Sequence, residues 1–379
     1  MRSASAAERA ALGELFAELC RIPSPSGSER ACADRVAAEL RLLGLEVSED
    51  GAGPAVASDA GNLLARIAPA PGGPERGLLL CAHLDTVPPD GPVRPAIHDG
   101  HWINEGAGIL GADNKAAVAV LLAAARIFAA EPPPCGLELL FTVREETALA
   151  GAAAFEAASL RSAFGFVFDH ASPIGEIVVA SPTYHRIEAE LRGVAAHAGI
   201  RPQDGRSAIA AAARAIAAMR LGRIDEETTA NVGLVAGGSA GNVVPERCRV
   251  LAEARSLDES KVEALVAEMV DRLQDGANAE GCDLDVTVER LFRSYRQGPS
   301  DDAVAAAQAA LRARGHEPAP ISTGGGSDAN ALVAQGFPCV NLANGTERNH
   351  EPGERVAVAA LEQMLDVALE LVSQAAARC

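Results

Sequence analysis

Two apolar runs that each end in reactive side chains constrain this chain more than any other feature. They are Leu78-Leu-Leu-Cys-Ala-His83, continued by Leu84 and Asp85, and Leu137-Glu-Leu-Leu-Phe-Thr-Val143, which leads into Glu145 and Glu146. Short apolar runs bounded by polar residues read as strands of a sheet covered on both faces. Side chains alternate along a strand, so His83 and Asp85 point to the same side. One can bind a metal while the other steadies it, because a metal-bound imidazole needs its second ring nitrogen held by an acceptor. The glutamate pair offers one carboxylate for a metal and one for proton transfer. Asp113, in Gly111-Ala-Asp113-Asn-Lys115, precedes a segment from about 116 to 130 that is apolar nearly all round and reads as a buried helix. Asp169 follows the run Phe164-Gly-Phe-Val-Phe168, and His350 stands in Asn349-His350-Glu351-Pro352. In α/β sheets ligands gather at strand ends, so this set implies hydrolysis.

Each residue has a plainer reading when taken alone. Asp113 reads equally well as an ordinary helix N-cap, and Glu145-Glu146 as a solvated strand end. His98, His101, His170, His185 and His316 keep the ordinary reading. The joint occurrence at five strand ends outweighs the separate readings. Gly106-Ala-Gly108-Ile-Leu-Gly111 matches a dinucleotide fingerprint, but no apolar strand precedes it. Gly324-Gly325-Gly326-Ser327 lacks the lysine of a phosphate loop, and Ser327 has no neighbouring base of the nucleophile-elbow type. Its glycines suit close approach of backbone amides to a substrate.

At 379 residues the chain exceeds what one core usually serves, so two domains are expected. A formal net charge of -18, with only Lys115 and Lys261 as lysines, argues against nucleic acid or an anionic membrane as partner. Eight cysteines without a C-x-x-C pair suit a reducing compartment. The charged N-terminus does not read as a signal peptide, so a cytoplasmic protein is expected. The opening segment from about 6 to 21 and a second one ending near Gly44 have helical spacing, the latter behind the capping-box pattern Ser26-Gly-Ser-Glu29. From about Pro182 the texture changes to strand, helix, strand, strand, helix, strand, the ferredoxin-like plan. The α/β alternation resumes at Asp301–Arg314 and the Val340 strand. The boundaries expected are 1–181 and 295–379 for an α/β domain and 182–294 for the insertion.

These residues together resemble the dinuclear zinc peptidases of the M20 family, most closely its peptidase T-like (tripeptidase-like) branch. The resemblance covers nearly the whole chain. It is carried by Ile22-Pro-Ser-Pro-Ser-Gly27, Ala82-His83-Leu-Asp85-Thr-Val87, Ile109-Leu-Gly-Ala-Asp113-Asn-Lys-Ala116, Phe141-Thr-Val-Arg-Glu145-Glu146 and Ala195-Ala-His197-Ala-Gly199. Leu221–Asn231, Ala252-Glu-Ala-Arg255-Ser256 and Gly324–Asn330 complete it. The resemblance implies a catalytic domain whose mixed sheet is covered by helices, interrupted by a ferredoxin-like α+β lid that makes a homodimer. It implies two Zn2+, with Co2+ or Mn2+ as alternatives: His83 and Asp169 on one ion, Glu146 and His350 on the other, Asp113 bridging. Glu145 becomes the general base and Asp85 the orienter of His83. His197, Asn242, Arg255, Gly326 and Ser327 become substrate-binding residues, with His197 often supplied by the partner subunit. The substrate implied is a short peptide. Val194, Gly241, Arg144 and Glu351 depart from residues common at those places, and none removes a metal ligand. A tripeptide aminopeptidase is the first reading. A carboxypeptidase or N-acyl amino acid deacylase is the second, since Arg255 suits a substrate carboxylate. A catalytically silent binding relative is the third, and the intact Glu145 speaks against it.

Overall fold

The run Leu78–His83 is a strand buried along its whole length, and so is Leu137–Thr142. In the computed structural model they lie side by side and parallel, Leu78 opposite Leu137 and His83 opposite Thr142. Phe164–His170 pairs in parallel on the other side of Leu78–His83, and Cys339–Ala343 pairs in parallel with Phe164–His170. Leu63–Ile67 and Val47–Glu49 extend the opposite edge in antiparallel fashion, which makes the sheet mixed. All four parallel strands therefore end on one side. Glu145, Glu146, Asp169 and the loop to His350 follow from those ends.

The helix Ala112–Ala130 fills the space over this sheet, with Val118, Val120, Leu121 and Leu122 fully buried. Each such side chain contributes roughly 1.5–3 kcal/mol of burial. The helix begins earlier than its apolar spacing predicts. Gly111 takes the N-cap position at φ +78°, and Asp113 sits just inside at φ -85° and ψ 101°, off helical geometry. Asp113 is thus not an N-cap.

The capping-box reading of Ser26–Glu29 is also corrected. The helix Arg30–Leu42 has Glu29 at its N-cap position without a side-chain cap. The Ser26 hydroxyl instead donates to Asp85, and the Glu29 carboxylate accepts the amides of Gly27 and Arg144. Acceptors and donors distant in sequence outcompete the local ones. A small antiparallel sheet of Pro95–His98, His101–Asn104, Arg355–Ala357 and Thr346–Glu347 carries the 348–354 loop. Strands of two to four residues leave no periodic signal, so nothing in the sequence announced this sheet.

The structure describes residues 2–378; Met1 and Cys379, the two ends of the expected boundaries, lie outside them. They form two units. One comprises the described residues through Val179, Arg296–Ser322 and those from Gly326 on; the other comprises Ala180–Tyr295 with Thr323–Gly325. In the second, strands Thr228–Gly237, Arg247–Ser256, Thr183–Arg192 and Asp283–Phe292 lie in that order, all antiparallel. The helices Ala208–Ala218 and Glu259–Glu280 share a core with Ile187, Ala189, Leu191, Val250 and Ala252. This is the ferredoxin-like plan, with its own hydrophobic cluster. Among the described residues the seven cysteines are buried, and no helix is long and apolar enough to cross a membrane.

Candidate metal centre

Three overlapping groups place ligating atoms within 4.8 Å of one another: His83, Asp113 and Asp169; Asp113, Glu146 and His350; and His83, Glu145 and Glu146. Asp113 joins the first two. Its Oδ1 lies 3.3 Å from His83 Nε2, and its Oδ2 lies 3.1 Å from His350 Nε2. Asp169 Oδ1 is 3.4 Å from the same His83 nitrogen, and Glu146 Oε1 is 2.9 Å from His350 Nε2. One imidazole proton cannot satisfy two carboxylates, so each nitrogen faces more acceptors than it can serve.

His83 Nδ1 lies 3.0 Å from the main-chain carbonyl of Asp85 and 3.4 Å from its carboxylate. The nearer acceptor is the carbonyl. The Asp85 carboxylate is engaged elsewhere: Oδ1 accepts the Glu145 amide at 2.9 Å, and Oδ2 accepts the Glu146 amide at 3.2 Å and the Ser26 hydroxyl at 2.6 Å. Arg144 stands at φ +53°, a left-handed conformation that costs about 1–2 kcal/mol for a residue with a side chain. Glu29 holds its amide, so consecutive amides 144, 145 and 146 are all fixed by buried carboxylates. That clamp aims the glutamate pair.

The electrostatics need a cation. The only groups among the described residues able to carry positive charge against Asp85, Asp113, Glu146 and Asp169 are the imidazoles of His83 and His350. Among the described residues no lysine or arginine pairs with these carboxylates. Burial pushes the Glu145 carboxyl well up, helped by the charge of Asp169, and burial pushes Asp169 up to about 8. Burial alone would raise Asp113 too, but hydrogen bonds from His350 and His83 hold it well below the usual range. A cluster of imidazole nitrogens and carboxylate oxygens with excess negative charge is a donor set that fits divalent zinc.

This arrangement sets the pH response of metal-free protein. Hydrogen bonds to Asp113 and Glu146 raise His350 from 6.5 to about 10. Its stabilising contribution is complete below the unfolded value and is lost as pH rises through the folded one. Asp169, raised from 3.8 to about 8, also holds its proton more tightly in the folded state. Both groups bind more protons folded than unfolded, so stability falls as pH rises. We expect the melting temperature of chelator-stripped protein to drop between pH 6.5 and 10, and calorimetry showing a rise over that window would contradict it.

The remaining expected site residues fall into both units. In the second unit His197 is exposed, and its Nδ1 accepts the Gly199 amide at 3.2 Å, which leaves Nε2 to carry the proton. Asn242 is exposed, and its carbonyl accepts the Ala198 amide. Arg255 is engaged within that unit: Nη1 donates to the Gly324 carbonyl at 3.0 Å, Nη2 to Glu253 at 3.1 Å, and the guanidinium lies 4.1 Å above the Tyr184 ring. In the first unit Gly326 precedes Ser327, the buried N-cap of the helix Asp328–Ala334, whose amide is held by Asn330.

Ser26, Glu29, Asn341, Asn349 and Glu354 support the cluster, a role that nothing in the sequence assigned to them: Ser26 and Glu29 read there as a helix cap. Asn341 Oδ1 accepts the Asp169 amide, and Asn349 Nδ2 donates to Asp113 Oδ2.

The family model described as peptidase family M20/M25/M40 matches residues 79–374. The crystal structure of aminopeptidase PepT from Bacillus cereus ATCC 10987 is 36% identical, with a TM-score of 0.87 over 97% of this chain and 99% of that one. That of a tripeptidase (SAV1512) from Staphylococcus aureus subsp. aureus Mu50 is 34% identical, with a TM-score of 0.92 over the same shares. The uncharacterized protein YqjE of Bacillus subtilis (strain 168) is 34% identical across 96% of this chain and 98% of its own length. Probable carboxypeptidases of fungi match shorter stretches, at 32–33% identity across 46–61% of this chain. With its strand-end cluster of histidines and carboxylates and a family match over most of its length, the chain belongs to peptidase family M20/M25/M40.

Proposed function

We propose that the protein is a two-zinc aminopeptidase acting on tripeptides. The observation that carries the two-ion reading is the pair of triads joined by the two oxygens of Asp113. His83 and Asp169 would hold one ion, Glu146 and His350 the other. The whole-length likeness to the aminopeptidase PepT and tripeptidase structures supports the substrate class.

Two divalent ions held there would supply an acidified water and polarisation of the scissile carbonyl. Glu145 accepts the proton of the attacking water and returns it to the departing amine. The Glu145 carboxyl is buried and lies in one group with His83 and Glu146, where it can reach a water held at the site. Asp85 keeps Glu145 aimed through its amide and keeps the His83 ring turned through its carbonyl. His197 donates from Nε2 to the carbonyl oxygen as negative charge grows there. The inserted unit serves as lid and dimerisation domain, and the dimer supplies His197 to the neighbouring subunit. Asn242, Gly326 and Ser327 line the peptide site. Arg255 is held by Glu253 and the Gly324 carbonyl and serves as a further substrate-binding residue.

The fungal carboxypeptidase matches favour a second reading, cleavage from the carboxyl end. Amino-acid release from free, N-blocked and C-blocked tripeptides, with and without chelator, separates the two. Hydrolysis of free and C-blocked peptides alone supports the proposal. Hydrolysis of N-blocked peptides supports the second reading, and none by zinc-loaded protein sinks both.

A further inference from the structure

Glu354 is 1% exposed and belongs to none of the ligand groups. Its Oε2 accepts the amides of Leu110 at 2.9 Å and Gly111 at 2.7 Å, and its Oε1 accepts that of Asp113 at 2.8 Å. These amides bracket the point where the backbone leaves helical geometry, between Gly111 at φ +78° and Asp113 at ψ 101°. A side chain at Gly111 would meet this left-handed φ at a steric cost, so the bend is built into the residue type as well. Four residues before Glu354, His350 stands at φ +66° and lies 3.1 Å from Asp113 Oδ2, which Asn349 also contacts at 2.9 Å. The stretch 349–354 thus grips Asp113 through its side chain and its main chain together. A buried carboxylate is costly to a fold unless its hydrogen bonds are complete, and what three charge-assisted bonds give in return is direction.

We infer that Glu354 is a positioning residue of the metal centre: by holding the Leu110, Gly111 and Asp113 amides from the segment that carries His350, it sets the two Asp113 oxygens between the two histidines. The inference rests on the two-ion reading above.

The rival account is that Glu354 merely caps the helix Ala112–Ala130. Glu138 provides the comparison. It is 3% exposed in the same unit and accepts the Arg161 amide, the Ser162 amide and the Ser162 hydroxyl at 2.9, 2.8 and 2.7 Å, outside all ligand groups. Glu354→Gln keeps the shape but offers one acceptor oxygen where the three amides use two. Zinc affinity by chelator competition, the visible spectrum of cobalt-loaded protein, and the melting temperature would be measured for Glu354→Gln, Glu354→Asp and Glu138→Gln. Removing a partner that orients a metal ligand typically weakens metal binding roughly 10-fold to 100-fold. We expect that loss, with an altered cobalt spectrum, in both Glu354 variants, while Glu138→Gln lowers the melting temperature without moving either readout. Should the glutamine variant not fold, the aspartate variant carries the comparison. Parental zinc affinity and spectrum in the Glu354 variants overturn the inference, as do equal losses in Glu138→Gln. A parent protein that takes up no zinc overturns the two-ion reading and this role with it, a result distinct from tight parental binding that Glu354→Gln leaves intact.

Discussion

Glu145→Ala is expected to lower turnover by roughly 1,000-fold to 10,000-fold while the protein still binds two equivalents of zinc. The large figure follows from the residue acting twice, once on the attacking water and once on the leaving amine. The geometry sharpens the test, because Glu145 also stands in a ligand-like group with His83 and Glu146. Its neighbours are otherwise engaged. His83 faces Asp113 and Asp169, and Glu146 faces His350. The pure variant, assayed for bound metal and for rate side by side, distinguishes the roles: full metal content with a collapsed rate marks a proton carrier, whereas loss of one equivalent marks a ligand. Near-normal turnover would remove Glu145 from the mechanism altogether.

Asp113→Ala should weaken zinc binding at both positions, whereas His350→Ala should empty mainly one. Two dications roughly 3.5–4 Å apart repel one another strongly. At an effective dielectric of about 20 the repulsion is on the order of 16 kcal/mol, four times that of two unit charges at the same distance. A carboxylate shared between the two ions would offset part of this for both, and Asp113 could do so, since its Oδ1 lies by His83 and its Oδ2 by His350. His350 is half exposed and touches only one side of the cluster. Titration of zinc into chelator-stripped protein should show two weakened steps for Asp113→Ala and one for His350→Ala. Parental two-step binding by Asp113→Ala would rule out the bridge.

The sequence by itself determined what is written in local patterns. Apolar runs 78–83, 137–142 and 164–168 became strands because unbroken burial on two faces leaves that signature, and period-two alternation marked the strand Thr183–Arg192 of the inserted unit. His83, Glu145, Glu146 and Asp169 stood out at the ends of apolar strands, Asp113 before a buried helix and His350 in its own short motif, and the fold brings all six together. Only the tertiary structure decided what those side chains lean on. Ser26 and Glu29 read as a helix cap, yet they serve Asp85 and the Arg144 amide, across about 60 and 115 positions of chain. The nearest acceptor to His83 Nδ1 is the Asp85 carbonyl, a main-chain contact that no residue type encodes. Glu354, an unremarkable acid in a loop, closes on Leu110, Gly111 and Asp113 some 241–244 residues away. A hydrogen bond needs its partners within about 3 Å in space and imposes no spacing along the chain. Strand patterns repeat with the backbone's own period and can be read in order, whereas the shell that aims the ligands exists only once the sheet has brought distant segments together.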